Sequence, residues 1–299
     1  MPTIAEQLQQ IATIKANIKA AIEAKGETVG SDAFSTYPTH IENIQAGGGD
    51  NLPAFLLNTL TSLTFPDGLT RIRTYQCYAM TALQSVTIPN SVTEIQARAF
   101  YGCTGLTSLT IPSSVTAIPD DMCSGCQNIS SITLLGNVVT FGANCFKNVK
   151  YITSFQFPAS TTTLGNYMFD GCSRLESIKF PPLVTTIATQ INYNNTALKT
   201  IDIGANVTAI NNNAFTNCKA VTTIICRAST APTVSSATFG SSTSSYTGRN
   251  NYNQGTNKLY VPQGCSSAYN TSYWASVLLD STKCGFTIAE LDANGNIPT

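Results

Sequence analysis

Apolar residues return every 23 positions through the middle of this chain. Leu60, Leu83, Leu106, Ile129, Ile152, Leu175, Leu198 and Val221 share one register, with no insertion between any two. The unit opens as L-x-S-[LIVF]-x-[IF]-P and closes near A-F-x-x-C. Its clearest copy is Leu83-Gln84-Ser85-Val86-Thr87-Ile88-Pro89, then Val92, Ile95, Ala99-Phe100 and Cys103. Inside each unit apolar and polar positions alternate at Val86 and Ile88, Leu109 and Ile111, and Ile178 and Phe180. That is the period of a strand with those side chains inward. Proline, which donates no ladder hydrogen bond, closes the strand at Pro66, Pro89, Pro112, Pro158 and Pro181. A second short apolar stretch follows (Val92 and Ile95, Val115 and Ile118, Val207 and Ile210), and the Ala-Phe pair then turns the chain back. A strict period of this length predicts a solenoid, in which each coil buries its apolar side against its neighbours. Two copies depart from the unit. Leu135-Gly136 takes the proline position of the fourth, and Ile191-Asn192-Tyr193-Asn194-Asn195 replaces the Ala-Phe and Cys positions of the sixth, which predicts local irregularity there.

The pattern changes at both ends. Ile4, Leu8, Ile11, Ile18 and Ile22 are spaced for a coiled-coil seam on a helix over residues 4–25, with Leu8, Lys15 and Ile22 at a and Ile4, Ile11 and Ile18 at d. Leu at a with Ile at d favours three or four strands over two, so a homotrimer is expected; a helix that merely caps the adjacent domain is the alternative. Gly26 ends the helix, as glycine does at C′. Gly47-Gly48-Gly49-Asp50 reads as a flexible joint. From Ser235 to Lys258 the chain is rich in Ser, Thr, Asn, Gly and Tyr and reads as a long loop. A strand, Leu259-Tyr260-Val261-Pro262, and the aromatics Tyr269, Tyr273 and Trp274 follow. Asn294-Gly295 signals a closing hairpin. Asp292-x-Asn294-x-Asn296 imitates a calcium loop, but Ile297 stands where glycine is needed. The expected organisation is an oligomerising and anchoring segment over 1–46, a hinge over 47–51, the solenoid over 52–230, and a long loop with a C-terminal cap over 231–299.

The 23-residue unit resembles the BspA-like leucine-rich repeat family, over roughly residues 55–290. The resemblance implies β-rich coils, with a Tyr-Val-Pro strand and a Tyr/Trp helix closing the C-terminal end. The N-terminal pieces Ala21-Ile22-Glu23-Ala24-Lys25-Gly26 and Phe34-Ser35-Thr36-Tyr37-Pro38-Thr39-His40-Ile41-Glu42-Asn43-Ile44 resemble a module of bacteriophage appendage and tail-associated proteins. That second resemblance implies an element that oligomerises or anchors to a particle. Together they suggest a mainly β leucine-rich-repeat solenoid with an N-terminal coiled-coil helix and a C-terminal cap. The expected role is a bacteriophage virion protein, a tail or head fibre. It would anchor through its N-terminus to other virion proteins and present the repeats to a host cell-surface protein or glycan. The expected location is then the virion, assembled in the host cytoplasm. A BspA-like adhesin on the bacterial cell surface and a capsid-decorating protein without a receptor are the alternatives.

Composition narrows the chemistry. Only 11% of the 299 residues are charged and the net charge is zero, against about 25% in ordinary domains. The surface must be mostly Ser, Thr, Asn and Gln, without the clustered cations a phosphate backbone needs, so no nucleic-acid partner is expected. No apolar run reaches membrane-spanning length. The first residues lack the basic and apolar regions of a Sec signal. Of ten cysteines, Cys103, Cys126, Cys172 and Cys218 share one register and Cys77 sits three residues earlier in its own copy. Recurrence in one place in the coil reads as a small buried hydrophobe. Cys123-x-x-Cys126 has half the spacing of a zinc site but lacks a second pair. His40 is the single histidine, with no nucleophile placed beside it by any motif, and Asp120-Asp121 reads as a solvated turn. No enzyme, cofactor or metal is expected. Two surfaces are candidate binding faces. One is the outward strand row Thr64, Thr87, Thr110, Thr133, Gln156, Lys179, Asp202 and Ile225. The other, ranked first, is the long loop with Tyr246, Arg249, Asn250, Asn251 and Tyr252, residue types that adaptable binding loops use.

Overall fold

Short parallel strands, each paired with its counterpart one coil away, run down two faces of the repeat region. The computed structural model describes residues 60–235, 237–240, 257–270, 274–279 and 286–298, all within one compact unit, Pro53–Thr299. The predicted helix with Ile4, Leu8, Ile11, Lys15, Ile18 and Ile22, the glycine joint, and the loop residues Tyr246, Arg249, Asn250, Asn251 and Tyr252 lie outside the described residues.

The first column of strands starts at Ser62–Thr64, Ser85–Thr87, Ser108–Ile111 and Ser131–Leu134. It continues through Ser154–Phe155, Ser177–Lys179, Thr200–Ile203 and Thr223–Cys226 to Lys258–Val261 and Thr287–Glu290. At about 4.8 Å per spacing these strands span roughly 43 Å. The second column holds two-residue strands such as Glu94–Ile95, Ala117–Ile118 and Ala209–Ile210. Register follows the repeat, Ser62 opposite Ser85 and Leu109 opposite Ile132, so like stacks on like. The predicted inward positions are inward: Leu109 is 1% exposed and Ile111, Leu83 and Leu106 are 0%.

The turn segments form a third hydrogen-bonded ladder. Phe100 N–H donates to Met122 C=O (2.9 Å), Gly102 N–H to Ser124 C=O (2.9 Å) and Phe146 N–H to Met168 C=O (3.1 Å). Each turn needs two left-handed residues. At one register these are Ala79, Gly102, Gly125, Asn148, Gly171, Asn194 and Asn217, mostly glycine or asparagine, the residues that adopt that region cheaply. At the other they are Tyr75, Arg98, Asp121, Asn144, Tyr167, Gln190 and Asn213, with φ between 51° and 61°. No glycine relieves this second register, at about 1 kcal/mol each. The ladder holds it instead, through bonds such as Asp121 N–H to Ala143 C=O at 2.8 Å.

The cysteine register has its own explanation. The thiols of Cys103, Cys126, Cys172 and Cys218 donate to the carbonyls of Cys77, Phe100, Phe146 and Asn192 at 2.8, 3.0, 3.2 and 2.9 Å. Each contact reaches back to the preceding coil. A small side chain with one weak donor both fills the site and gives a turn carbonyl a partner from the next coil, in addition to the backbone N–H that the Cys77, Phe100 and Phe146 carbonyls already accept.

Three expectations need correction. The sixth coil is regular in its backbone: Phe169 N–H donates to Ile191 C=O (2.8 Å) and Asn192 N–H to Ala214 C=O (2.9 Å). The departure lies in the core, where the Asn192 and Asn195 side chains are 0% exposed and their amides find no partner among the described residues. Residues 237–240, expected to open the long loop, continue the coil. Thr233–Val234 pairs with Ala209–Ile210, Phe215 N–H donates to Thr238 C=O (2.9 Å), and Phe239 stacks on Phe215 at 5.5 Å. One inserted residue breaks the 23-residue spacing without breaking the coil. Finally, Asp292 to Asn296 closes as a tight turn, with the Asp292 carboxylate accepting from the Asn294 and Asn296 amides at 2.9 and 2.8 Å. No strand follows it among the described residues.

Beyond the insertion, Lys258–Val261 pairs with Thr223–Cys226, and Thr287–Glu290 pairs with Lys258–Val261. A short helix, Ser266–Asn270, and a π-helical turn, Ala275–Leu279, lie between those two strands in sequence. Tyr269 and Trp274 are fully buried and donate to Ala228 C=O and Pro232 C=O, both at 2.7 Å.

Candidate binding surface

The outward strand row is free only in part. Thr64, Thr87, Thr110, Thr133, Gln156 and Lys179 are exposed, but Asp202 and Ile225 are each 8% exposed. Arg227 grips the Asp202 carboxylate with two bonds, at 2.7 and 2.9 Å, and donates a third to Gly295 C=O at 2.9 Å. The C-terminal turn is thereby fastened over that end of the row, and the Asp202 charge is neutralised there.

A different surface emerges from the turns. Tyr75, Tyr78, Arg98, Tyr101, Asp121 and Asn144 line an open hollow of about 320 Å³. Two registers of the repeat meet here. Tyr75, Arg98, Asp121 and Asn144 are successive residues of the left-handed register; Tyr78 and Tyr101 lie three positions further on in their coils. The Tyr78 and Tyr101 rings stack at 5.3 Å and 11°, and Tyr75 meets Tyr78 edge-on at 5.3 Å and 74°. Tyr75 and Tyr78 are each 47% exposed. Arg98 is fixed from both sides: it donates to the Tyr75 hydroxyl at 2.5 Å and to the Asp121 carboxylate at 3.1 Å, with its guanidinium carbon 5.7 Å from the Tyr75 ring centre. The Tyr75 hydroxyl, then Asp121, raise the guanidinium pKa further. Farther along the turns Lys147 lies 5.3 Å from the Tyr167 ring centre and 2.9 Å from Asp170, and Arg174 lies 4.1 Å from that of Tyr151.

The sequence contained a signal for this site. Tyr75, Tyr78 and Tyr101 flank the positions that face the core at Cys77 and Phe100, so they had to face out. What the sequence did not show was that the Tyr78 and Tyr101 rings stack and that Arg98 links Tyr75 to Asp121.

The acidic and thiol candidates resolve into structural roles. Asp120 accepts from Ala143 N–H at 2.7 Å while Asp121 pairs with Arg98, so the two carboxylates work apart. Cys123 and Cys126 are 0% exposed, and burial pushes both thiols up, keeping them protonated. Among the described residues no group of three or more His, Cys, Asp or Glu is placed to hold a metal, and no helix is long and apolar enough to cross a membrane.

Stacked parallel coils of 23 residues with an exposed aromatic turn face define a leucine-rich-repeat solenoid. Comparison with known families then narrows this. The model described as BspA type leucine rich repeat region matches in six copies, over residues 52–172 and 140–254. These matches cover more than half of the chain, which belongs to the BspA-type leucine-rich repeat family. The match leaves residues 1–51 and 255–299 outside it. No curated protein matches the chain. Among solved structures, a leucine-rich cell surface protein from Faecalibacterium prausnitzii is similar at 25% identity and a TM-score of 0.39, covering 62% of this chain and 61% of its own. A leucine-rich repeat protein from Eubacterium ventriosum is similar at 25% identity and a TM-score of 0.49, covering 53% of this chain and 43% of its own. One from Bacteroides ovatus is 18% identical with a TM-score of 0.48, covering 78% and 71%. The alignments thus span less than two thirds of the first two proteins.

Proposed function

We propose that this chain is a non-catalytic binding protein of the adhesin type, displayed on the bacterial cell surface. The observation that carries the reading is the tyrosine shelf, exposed at Tyr75 and Tyr78 and half-buried at Tyr101, braced by Arg98 and Asp121 on a periodic scaffold. Exposed aromatic clusters are costly on a soluble surface and mark places where something docks. Membership of the BspA-type family supports surface display. Residues 257–298 then act as a cap, covering the strand edge that would otherwise invite further pairing.

Placement on a phage particle is a second reading. It rests on the heptad of Ile4, Leu8, Ile11, Lys15, Ile18 and Ile22 and on the N-terminal resemblance alone, and the comparisons add nothing to it. Antibody labelling of intact, uninfected producing cells tests the first reading. Surface labelling that disappears on protease shaving is expected. Protein found only in purified particles, with a trimeric mass, would replace this reading with the second.

A further inference from the structure

We infer that the tyrosine shelf binds a neutral saccharide. The inference rests on the reading of the domain as a binding module and adds the class of its ligand.

A sugar ring presents an apolar face of C–H bonds and an edge of hydroxyls. It therefore asks for a flat aromatic surface beside fixed donors and acceptors. Tyr78 and Tyr101 stack on one another within 11° of parallel, so each covers one face of the other and offers a ligand its remaining face and its edge, with Tyr75 set edge-on to Tyr78. Their phenol groups add hydroxyls that can donate or accept. Asp121 brings a carboxylate and Asn144 an amide to the same hollow, so acceptors and donors flank the rings.

Charge argues against other ligands. Among the described residues Arg98 is the only cation lining the hollow, and its charge is matched by Asp121 at 3.1 Å. An anionic ligand such as a phosphate or an acidic peptide would have to compete with that carboxylate for the guanidinium. A neutral polyol can use both partners without separating them. The hollow is also shallow and open, whereas apolar ligands favour concave sites that cover most of their surface.

Pre-organisation strengthens the fit. The left-handed backbone at Tyr75, Arg98, Asp121 and Asn144 is fixed by the turn ladder, and Arg98 holds Tyr75 in place. Little side-chain freedom remains to be lost on binding. These four residues stand one per rung and so cover roughly 14 Å, a length that suits a short oligosaccharide lying along the solenoid.

The test applies the purified full chain to an array of neutral and acidic oligosaccharides and follows each hit by saturation-transfer NMR. Transfer to the ring protons of a neutral saccharide is expected. Tyr78→Ala and Asn144→Ala should each weaken binding by about tenfold or more. Tyr78→Phe should retain stacking, and Tyr151→Ala, at another exposed tyrosine, should change nothing. An unchanged thermal midpoint for Tyr78→Ala establishes that its effect is local. Failure of every neutral saccharide on the array, or a Tyr78→Ala variant that binds as tightly as the parent, overturns the inference. A second arm separates it from the reading on which it rests. Cell or matrix adhesion that survives periodate oxidation of the target, yet falls with Tyr78→Ala, leaves the binding module standing and overturns the saccharide.

Discussion

Alkali should unfold this protein well before its backbone or its other side chains are threatened. Eight free thiols are buried: Cys77, Cys103, Cys123, Cys126, Cys145, Cys172, Cys218 and Cys226. None of them is more than 1% exposed. Burial pushes Cys77, Cys123, Cys126, Cys145, Cys172 and Cys218 above the ordinary value of 9.0. At Cys103 the contact with the Cys126 thiol acts most strongly, with burial second, and burial takes Cys226 to about 11. A thiol with a raised folded pKa favours the folded state fully below its unfolded pKa. That contribution is lost as pH rises through 9 towards the folded value. At pH 10 an unfolded thiol has released its proton while a buried one still holds it, a difference of about 1.4 kcal/mol per thiol. Eight of them give about 11 kcal/mol, comparable with the entire stability of an ordinary domain, roughly 5–15 kcal/mol. Urea unfolding from pH 7 to pH 10.5, with reductant present, should therefore show a midpoint that is level to about pH 8.5 and then collapses. Cys126→Ala should start lower at pH 7, from its lost packing, and then fall less steeply. Coils two to four carry Cys103, Cys123, Cys126 and Cys145, so protection from hydrogen exchange should fail there first. A urea midpoint that stays nearly level between pH 8 and pH 10 would refute the reasoning.

Two further outcomes follow from the core. Leu109→Ala should cost about 2–5 kcal/mol in urea unfolding, because the side chain lies between coils and leaves a cavity; a loss under about 0.5 kcal/mol, the scale of surface changes, would mean that it does not. Restoring the repeat with Asn192→Phe and Asn195→Cys should raise stability by about 1–3 kcal/mol, since two unpartnered buried amides are removed, and a double variant less stable than the parent would show that those amides are satisfied.

Much of the fold was legible because a solenoid buries the same positions in every coil. Leu83, Leu106, Val92 and Val115 announce themselves by spacing alone, and the alternation at Leu109 and Ile111 fixes which face is inward. The cysteine register could be read as buried but not explained; the reason for a thiol, a donor aimed at the carbonyl one coil back, requires the coils to be stacked. Asn192 and Asn195 could be seen as exceptions, but periodicity could not separate a bent backbone from a regular one with an unsatisfied core. The end of the coil was misplaced because one inserted residue disrupts a count while leaving Phe239 able to stack on Phe215.

The sequence by itself determined the coil, since a 23-residue period of apolar side chains can be buried on every repeat only by stacking identical turns. Tertiary structure alone decided the surfaces. Tyr78 meets Tyr101, and Arg98 meets Asp121, across 23 residues, while Arg227 joins Asp202 to Gly295 across a still longer separation. Such contacts follow from which rung lies above which, and from where the last turn folds back, because they arise between coils while the repeat is written within each one.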